Sequence, residues 1–373
     1  MPLQGRATLE GTERYRNRLI GSAHENHFRL EQNLWLSSIG LGTYLGQWDE
    51  QTDRAYTQAT VRAVELGINV IDTAANYRFQ RSERSIGAAL GQLAEAGAVT
   101  RDELVICTKG GYLPFDGQPP RDVRRYVEES FVQTGVASFS DIVAGSHCMT
   151  PAYLENQLDQ SLENMGLDAL DVYYVHNPET QLNEVSREEF EARLARAFEM
   201  LERARAAGKV GAYGAATWNG FRVAPSARDH LSLERMAEIA RGAGGGDAHG
   251  FRFVQLPFNL AMPEALVSEN QSLNGERASL LEAAAALGIT VVASASILQG
   301  KVARNLPEEV REPLGSLATD AQTAIQFVRS TPGITTALVG MSKVAHVEEN
   351  LQLARLAPTP PEDFQRLFAS SEE

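Results

Sequence analysis

Short apolar runs alternate with longer amphipathic stretches from residue 40 onward. The runs are GLGT (40–43), NVID (69–72), LVICT (104–108), DVYYV (171–175), VGAYGA (210–215), FRFVQ (251–255), TVVAS (290–294) and TALVG (336–340). Each reads as a strand buried on both faces, the pattern of a covered parallel sheet. Between them Ala, Leu, Glu and Arg recur at helical spacing over 54–66, 82–95, 151–165, 188–207, 232–241, 278–287, 320–330 and 344–355. Local punctuation agrees with these boundaries. In ELGINV and ALGITV a glycine separates helix end from strand start, where a left-handed cap is needed. Thr150 and Pro151 read as an N-cap and a first helical residue.

Eight strands alternating with eight helices, without a break in composition, predict an α/β chain closed as a (β/α)8 TIM barrel in a single domain. An open doubly wound sheet is the competing arrangement. It would need a topological reversal and a dinucleotide fingerprint, and neither is found. The cluster RGAGGGDAHG (241–250) follows a helix and precedes a strand, which suits a flexible turn rather than a phosphate loop. Residues 36–356 make up the expected barrel, with 1–35 as an N-terminal extension capping its bottom and 357–373 as a C-terminal tail. Residues 110–149 form a long insertion after the third strand, and 257–277 a second long segment after the sixth. Both follow strand C-terminal ends, the face on which a barrel builds its active site.

Composition narrows the class. The chain has 373 residues, 43% hydrophobic and 22% charged, with a net charge of −14 and both signs mixed along its length. That excludes the clustered basic footprint of a nucleic-acid binder and leaves room only for a local basic pocket. Cys107 and Cys148 are too few for a disulfide framework and suit a reducing cytoplasm. Residues 1–19 have no apolar signal segment, and no stretch of about 18 apolar residues occurs. A soluble cytoplasmic protein with no membrane partner is expected. His147 and Cys148 are neighbours, but no second ligand pair accompanies them, so no metal site is expected.

Candidate chemistry gathers at the strand ends. Asp72 ends the second run, Lys109 follows the third, His176 follows the fourth, and Tyr77 lies on the loop that Asp72 begins. Each has an ordinary explanation: an Asx turn, a surface lysine, a turn histidine before Asn177 and Pro178, a packing aromatic. Four chemically compatible groups on three neighbouring strand ends make coincidence the weaker account.

These residues sit in segments that resemble the aldo-keto reductase family: GLGTY (40–44), GINVIDTAANY (67–77), SERSIGAAL (82–90), VICTKGG (105–111), SLENMGLDALDVYYVHNP (161–178), FVQLPFN (253–259) and GMSKVAHVEENL (340–351). The resemblance spans most of 36–356 and implies the same barrel. It also implies hydride transfer between a nicotinamide cofactor and a carbonyl or alcohol substrate. The family's catalytic set falls on Asp72, Tyr77, Lys109 and His176. Carbonyl reduction leaves negative charge on oxygen, so a proton donor must stand there. A nearby Lys109 ammonium would lower the phenol pKa of Tyr77, Asp72 would make the buried lysine tolerable, and His176 would orient the substrate oxygen.

By the same resemblance, cofactor contacts fall on Gly42, Thr43, Tyr44, Asp72, Thr217, Gln255, Ser294, Ser296, Gly340, Ser342, Lys343, Glu349 and Asn350. Three departures stand out. Ala216 and Thr217 occupy the place of a Ser-Asn pair, Ser294 replaces the usual stacking aromatic, and Gly340 and His346 stand at positions often basic in NADP-preferring members. Lys343 supplies one charge for a 2′-phosphate, so NADP is the expected cofactor and NAD the alternative. Tyr44, Tyr112 and Trp218 are the expected substrate contacts, with Phe115 and Phe131 of the insertion also available. Arg78, Arg81 and Arg84 either meet an acidic substrate or are solvated or paired with local acids, the second being favoured. The rival reading is a non-catalytic, nucleotide-binding regulatory barrel, motivated by the altered cofactor positions. A sugar 1-dehydrogenase using NAD is a variant of the enzymatic reading.

Overall fold

A computed structural model describes residues 2–368. Eight parallel strands close into a barrel: β1 (Ile39–Gly42), β2 (Val70–Asp72), β3 (Val105–Gly110), β4 (Leu170–His176), β5 (Val210–Ala216), β6 (Phe251–Pro257), β7 (Thr290–Ser294) and β8 (Ile334–Gly340). Neighbours in sequence pair in space, and β8 returns to β1 with Gly340 opposite Gly42. The helices are α1 (Glu50–Glu65), α2 (Arg81–Glu95), α3 (Pro151–Met165), α4 (Arg187–Ala206), α5 (Leu233–Gly244), α6 (Leu280–Leu287), α7 (Asp320–Ser330) and α8 (Val344–Asn350). The predicted barrel is the observed one.

Every residue of β3 and β4 is buried, because one face of each strand packs inside the barrel and the other against helices. Inside lie Val70, Val105, Cys107, Val172, Tyr174, Phe253, Val292 and Leu338. Outside, Ile71, Ile106, Tyr173, Val175, Val254 and Val291 pack against the helical shell. Helix starts are fixed by side chains: Asp49 accepts from Thr52 N, Ser186 from Glu189 N, and Ser279 forms a reciprocal capping box with Glu282. Gly67 (φ 114°) and Gly288 (φ 64°) take positive φ at the two sites where the sequence demands it. Thr150 stands at the N-cap of α3, but its side chain makes no capping bond. Helix α8 ends at Asn350, five residues before its predicted end, and continues as a tighter 3₁₀ turn over Leu351–Arg355.

Beneath the barrel, Phe28–Glu31 and Leu34–Ser37 pair as a hairpin. Ser37 N donates to Asn69 Oδ1, Arg29 reaches the carbonyl of Thr335, and Leu36 joins the barrel-interior cluster. All three contacts lie at strand N-terminal ends, opposite the mouth. Gln271–Leu273 and Glu276–Ala278 form a second hairpin within 257–277. In the stretch read as a C-terminal tail, Pro361–Gln365 is helical and Phe364 is buried, stacked 5.5 Å from Phe327. The last five residues of that stretch, 369–373, lie outside the described residues.

Candidate active site

Asp72 is the last residue of β2 and His176 the last of β4, while Lys109 is the next to last of β3. The parallel register sets Asp72 beside Cys107 and Lys109 beside Tyr174, so adjacent strands deliver the three side chains to one rim. Tyr77 arrives by a turn that leans on β3. Thr73 N donates to Cys107 O (2.9 Å), Ala75 N to Lys109 O (3.2 Å) and Tyr77 N to Ala74 O (3.0 Å). These bonds bring the Tyr77 ring centre 5.0 Å from Lys109 Nζ and 5.8 Å from the His176 ring centre.

Lys109 is 1% exposed and could not stay charged unaided. Its ammonium donates to Asp72 Oδ1 and, at 2.8 Å, to Thr73 O. The other oxygen, Asp72 Oδ2, accepts from Gln255 Nε2 at 2.9 Å. Burial pulls the lysine pKa down, but the Asp72 carboxylate and the Tyr77 hydroxyl more than offset it, leaving it above its ordinary value. Burial likewise pushes the Asp72 carboxyl up against Lys109 and Gln255. With the ammonium bonded directly to it, the pair is held as ions. Tyr77 departs from expectation. Lys109 does favour the phenolate, yet burial outweighs it and the net direction is upward, so the neutral phenol is the resident form. His176 is pushed well below the usual imidazole value by burial and then by Lys109 and His147. Its neutral ring keeps Nδ1 without a partner among the described residues.

The remaining expected contacts lie at or after the ends of β1, β5 and β7, on β6, and along the β8–α8 segment. Thr43 is buried with Oγ1 donating to Asp72 O (3.3 Å), and Tyr44, 57% exposed, meets the Tyr77 ring edge-on at 5.0 Å. Thr217 follows β5, its N donating to Gln255 O, and its buried Oγ1 lacks a partner among the described residues. Ser294 ends β7, while Ser296 is buried with its hydroxyl donating to Ala293 O (3.3 Å). Gly340 ends β8 beside Gly42; Ser342 and an exposed Lys343 lead into α8. Glu349 Oε1 accepts from Thr319 Oγ1 (3.0 Å), and Asn350 is buried with Oδ1 unpaired among the described residues. These groups fit a nicotinamide dinucleotide: the unpaired Thr217 hydroxyl stands beside the Gln255 backbone, the unpaired Asn350 amide oxygen lies at the end of α8, and one exposed lysine stands at the β8 end.

Trp218 is 43% exposed on the loop after β5. Tyr112 lies edge-on to His176 at 5.2 Å, its hydroxyl within 3.2 Å of Asn177 Nδ2. Phe131, in contrast, is buried against Tyr126 and Tyr153, because the insertion folds back onto α3. The three arginines near Tyr77 are already paired, Arg78 and Arg81 with Asp53 and Arg84 with Asp116. No group of three or more metal-ligating side chains occurs among the described residues.

Two residues shape the site without having been singled out for it. His147 Nε2 donates to His176 O (2.7 Å) and Nδ1 accepts from Gln181 Nε2 (2.8 Å), fixing the backbone of the strand end. Glu179 Oε1 accepts from the N–H groups of Trp218 (2.7 Å), Asn219 (3.0 Å) and Gly220 (3.3 Å). Their partners lie 29 to 41 residues away, so no local spacing announces them.

A model of the aldo/keto reductase family matches residues 38–372. The chain is 31% identical over 166 residues to D-threo-aldose 1-dehydrogenase of a Pseudomonas species, covering 41% of this chain and 40% of that protein. It is 28% identical over 189 residues to the NADH-specific methylglyoxal reductase of Escherichia coli K12, covering 49% of each. The matched stretch is therefore less than half of either curated relative. Among solved structures, the aldo/keto reductase from Klebsiella pneumoniae in complex with NADP and acetate superposes with a TM-score of 0.61 at 17% identity, over 94% of this chain and 98% of that one. The holo form of an aldo-keto reductase from Bacillus halodurans gives 0.63 at 18% identity, over 91% and 95%. By the family match across nearly its whole length, this chain belongs to the aldo/keto reductase family.

Proposed function

We propose that this protein is an oxidoreductase that transfers hydride between NADP(H) and the carbonyl or hydroxyl group of a small molecule, with Tyr77 as the proton donor and acceptor. The observation that carries the reading is the buried Asp72–Lys109 ion pair 5.0 Å from the Tyr77 ring, with His176 on the ring's other flank. When bound, the reduced nicotinamide supplies two electrons and a hydrogen to the carbonyl carbon. The protein's own groups handle the oxygen. The neutral phenol of Tyr77 releases its proton as negative charge develops on that oxygen, and Lys109 stabilises the phenolate that remains. His176, neutral, can offer a ring N–H to the same oxygen while His147 holds its backbone. Asp72 keeps Lys109 fixed and charged. In the reverse direction the phenolate takes the proton from an alcohol.

Thr217 and Gln255 are the groups that would hold the carboxamide, and Gly340, Ser342 and Lys343 those that would meet the phosphates. Lys343 is exposed and enters none of the ion pairs among the described residues, which supports NADP over NAD. The test is nicotinamide absorbance with both dinucleotides against a panel of aldehydes, ketones and sugars. Turnover is expected with the parent and a loss of at least about 10²-fold with Tyr77→Phe. Lys343→Ala is expected to cost NADP roughly tenfold in kcat/KM and NAD little. A Tyr77→Phe variant as fast as the parent would sink the mechanism.

A further inference from the structure

The turn carrying Tyr77 runs on through three consecutive left-handed residues: Arg78 (φ 48°), Phe79 (φ 58°) and Gln80 (φ 70°). None is glycine, and L side chains disfavour this region. Such a run persists only where its surroundings over-determine it. Here they do, from both sides. Arg78 is 6% exposed. Its Nε donates to Gln47 O (2.8 Å), its Nη2 to the Asp53 carboxylate, and its guanidinium carbon lies 5.2 Å from the Tyr56 ring centre. Tyr56 in turn donates its hydroxyl to Leu45 O (2.6 Å). Gly46 lets the loop close on this cluster, since a Cβ there would fall 2.7 Å from Thr52 Cγ2 and 3.7 Å from Arg78 Cδ. On the other side, Phe79 O accepts from Gly117 N (2.9 Å) and Gln80 Nε2 donates to Phe115 O (3.1 Å), both in the insertion.

Residues 78–80 therefore bind together the loops after β1, β2 and β3. Stability alone would favour glycine at these positions. It would not favour a buried guanidinium whose Nη1 lacks a partner among the described residues. What the arginine does that glycine could not is fix the residue before it. We propose that Arg78, clamped on Asp53 and Gln47, is a positioning residue that holds Tyr77 at the proton-transfer point. The inference rests on the reading of Tyr77 as proton donor, and Arg78 touches no reacting atom.

Arg78→Gly separates the two roles, because it relieves the backbone at residue 78 while removing the clamp. The comparison uses the full chain with Arg78→Gly, Arg78→Lys and Asp53→Asn. The readouts are kcat, KM, dinucleotide affinity, and ultraviolet difference titration of Tyr77 against Tyr77→Phe. Tyr77 is faced by Lys109 from β3, Asp72 from β2, His176 from β4 and Tyr44 from the loop after β1. With the clamp gone, kcat is expected to fall about 10²-fold with dinucleotide affinity kept. The Tyr77 titration is expected to move upward as the phenol drifts from Lys109. Arg78→Lys, which keeps charge but not the fork, should fall between. A folded Arg78→Gly with parental kcat and titration would overturn the proposal. If that variant does not fold, Asp53→Asn decides, and unchanged kcat and titration there overturn it equally. Should the parent turn over no substrate, the proposed activity fails, and the titration alone then judges the clamp.

Discussion

At the scale of single residues, the site turns on one lysine. Removing the Lys109 charge leaves the Asp72 carboxylate buried with only the Gln255 amide beside it. Lys109→Met is therefore expected to cost about 3–5 kcal/mol in denaturant unfolding and to slow turnover by roughly 10²–10⁴. Adding Asp72→Asn should restore much of the stability and none of the rate, which distinguishes a catalytic charge from a structural one. Protonation states give a second prediction. Because Tyr77 is raised and His176 is lowered well below its usual value, the rate of carbonyl reduction should stay flat through the neutral range. Above that range it should decline as the phenol ionises. An inflection in kcat/KM near the ordinary histidine value of about 6.5 would mean His176 titrates there and would contradict its burial. Asp72, Lys109 and His176 were legible because an apolar run that stops at an ionisable group marks a barrel's mouth, and Tyr77 because it lies on the loop that Asp72 begins. The direction of the Tyr77 shift was not, since it depends on how much burial opposes Lys109, and burial is a property of the assembled rim.

At the scale of elements, the eight strands and helices were legible from periodicity, and the connections were less so. Asn274 and Gly275 form the hairpin turn between Gln271–Leu273 and Glu276–Ala278, and Asn-Gly is the strongest short hairpin signal. Gln32 and Asn33, both at positive φ, turn the N-terminal hairpin in the same way. Both pairs were in the sequence, hidden because their strands have only three or four residues and no clear alternation. The turn Pro178–Asn183 after β4 shows what no pattern carries. Its Glu179 accepts three N–H groups of the loop after β5, and that loop presents Thr217 and Trp218. Glu179→Ala should leave those donors unmet, at about 1–3 kcal/mol in stability. The loosened loop should raise KM for dinucleotide and substrate more than it lowers kcat. Steady-state kinetics with a thermal melt read both, and an unchanged KM would show that the loop holds its shape without the carboxylate.

At the scale of the whole molecule, the two ends of the barrel are each secured by a buried neutral imidazole. Below, His27 accepts from Ser38 Oγ (3.1 Å) and donates to Gly67 O (3.0 Å), joining the N-terminal hairpin to the start of β2. Above, His147 joins the insertion to the end of β4. Burial drives both values down, to about 3 for His27, where Arg329 adds to it, and to about 4 for His147. The unfolded chain takes up protons at these histidines from about pH 6.5 downward, and the folded chain does not. Between that point and the folded values the unfolded state binds more protons, so stability rises with pH and is lost as pH falls. Each histidine is expected to withdraw about 2 kcal/mol between about pH 7 and about pH 5. Melting temperature should drop over that interval well before most carboxylates titrate. His147→Gln, whose amide can still donate to His176 O, should shrink the drop by roughly a third, because the buried His176 contributes alongside His27. A drop of parental size in that variant would place the acid sensitivity elsewhere in the fold. Because His147 bonds the strand end that carries His176, its protonation should also disturb the site before the barrel opens. Activity is therefore expected to fail on the acid side ahead of global unfolding, as read by comparing turnover with circular dichroism at matched pH.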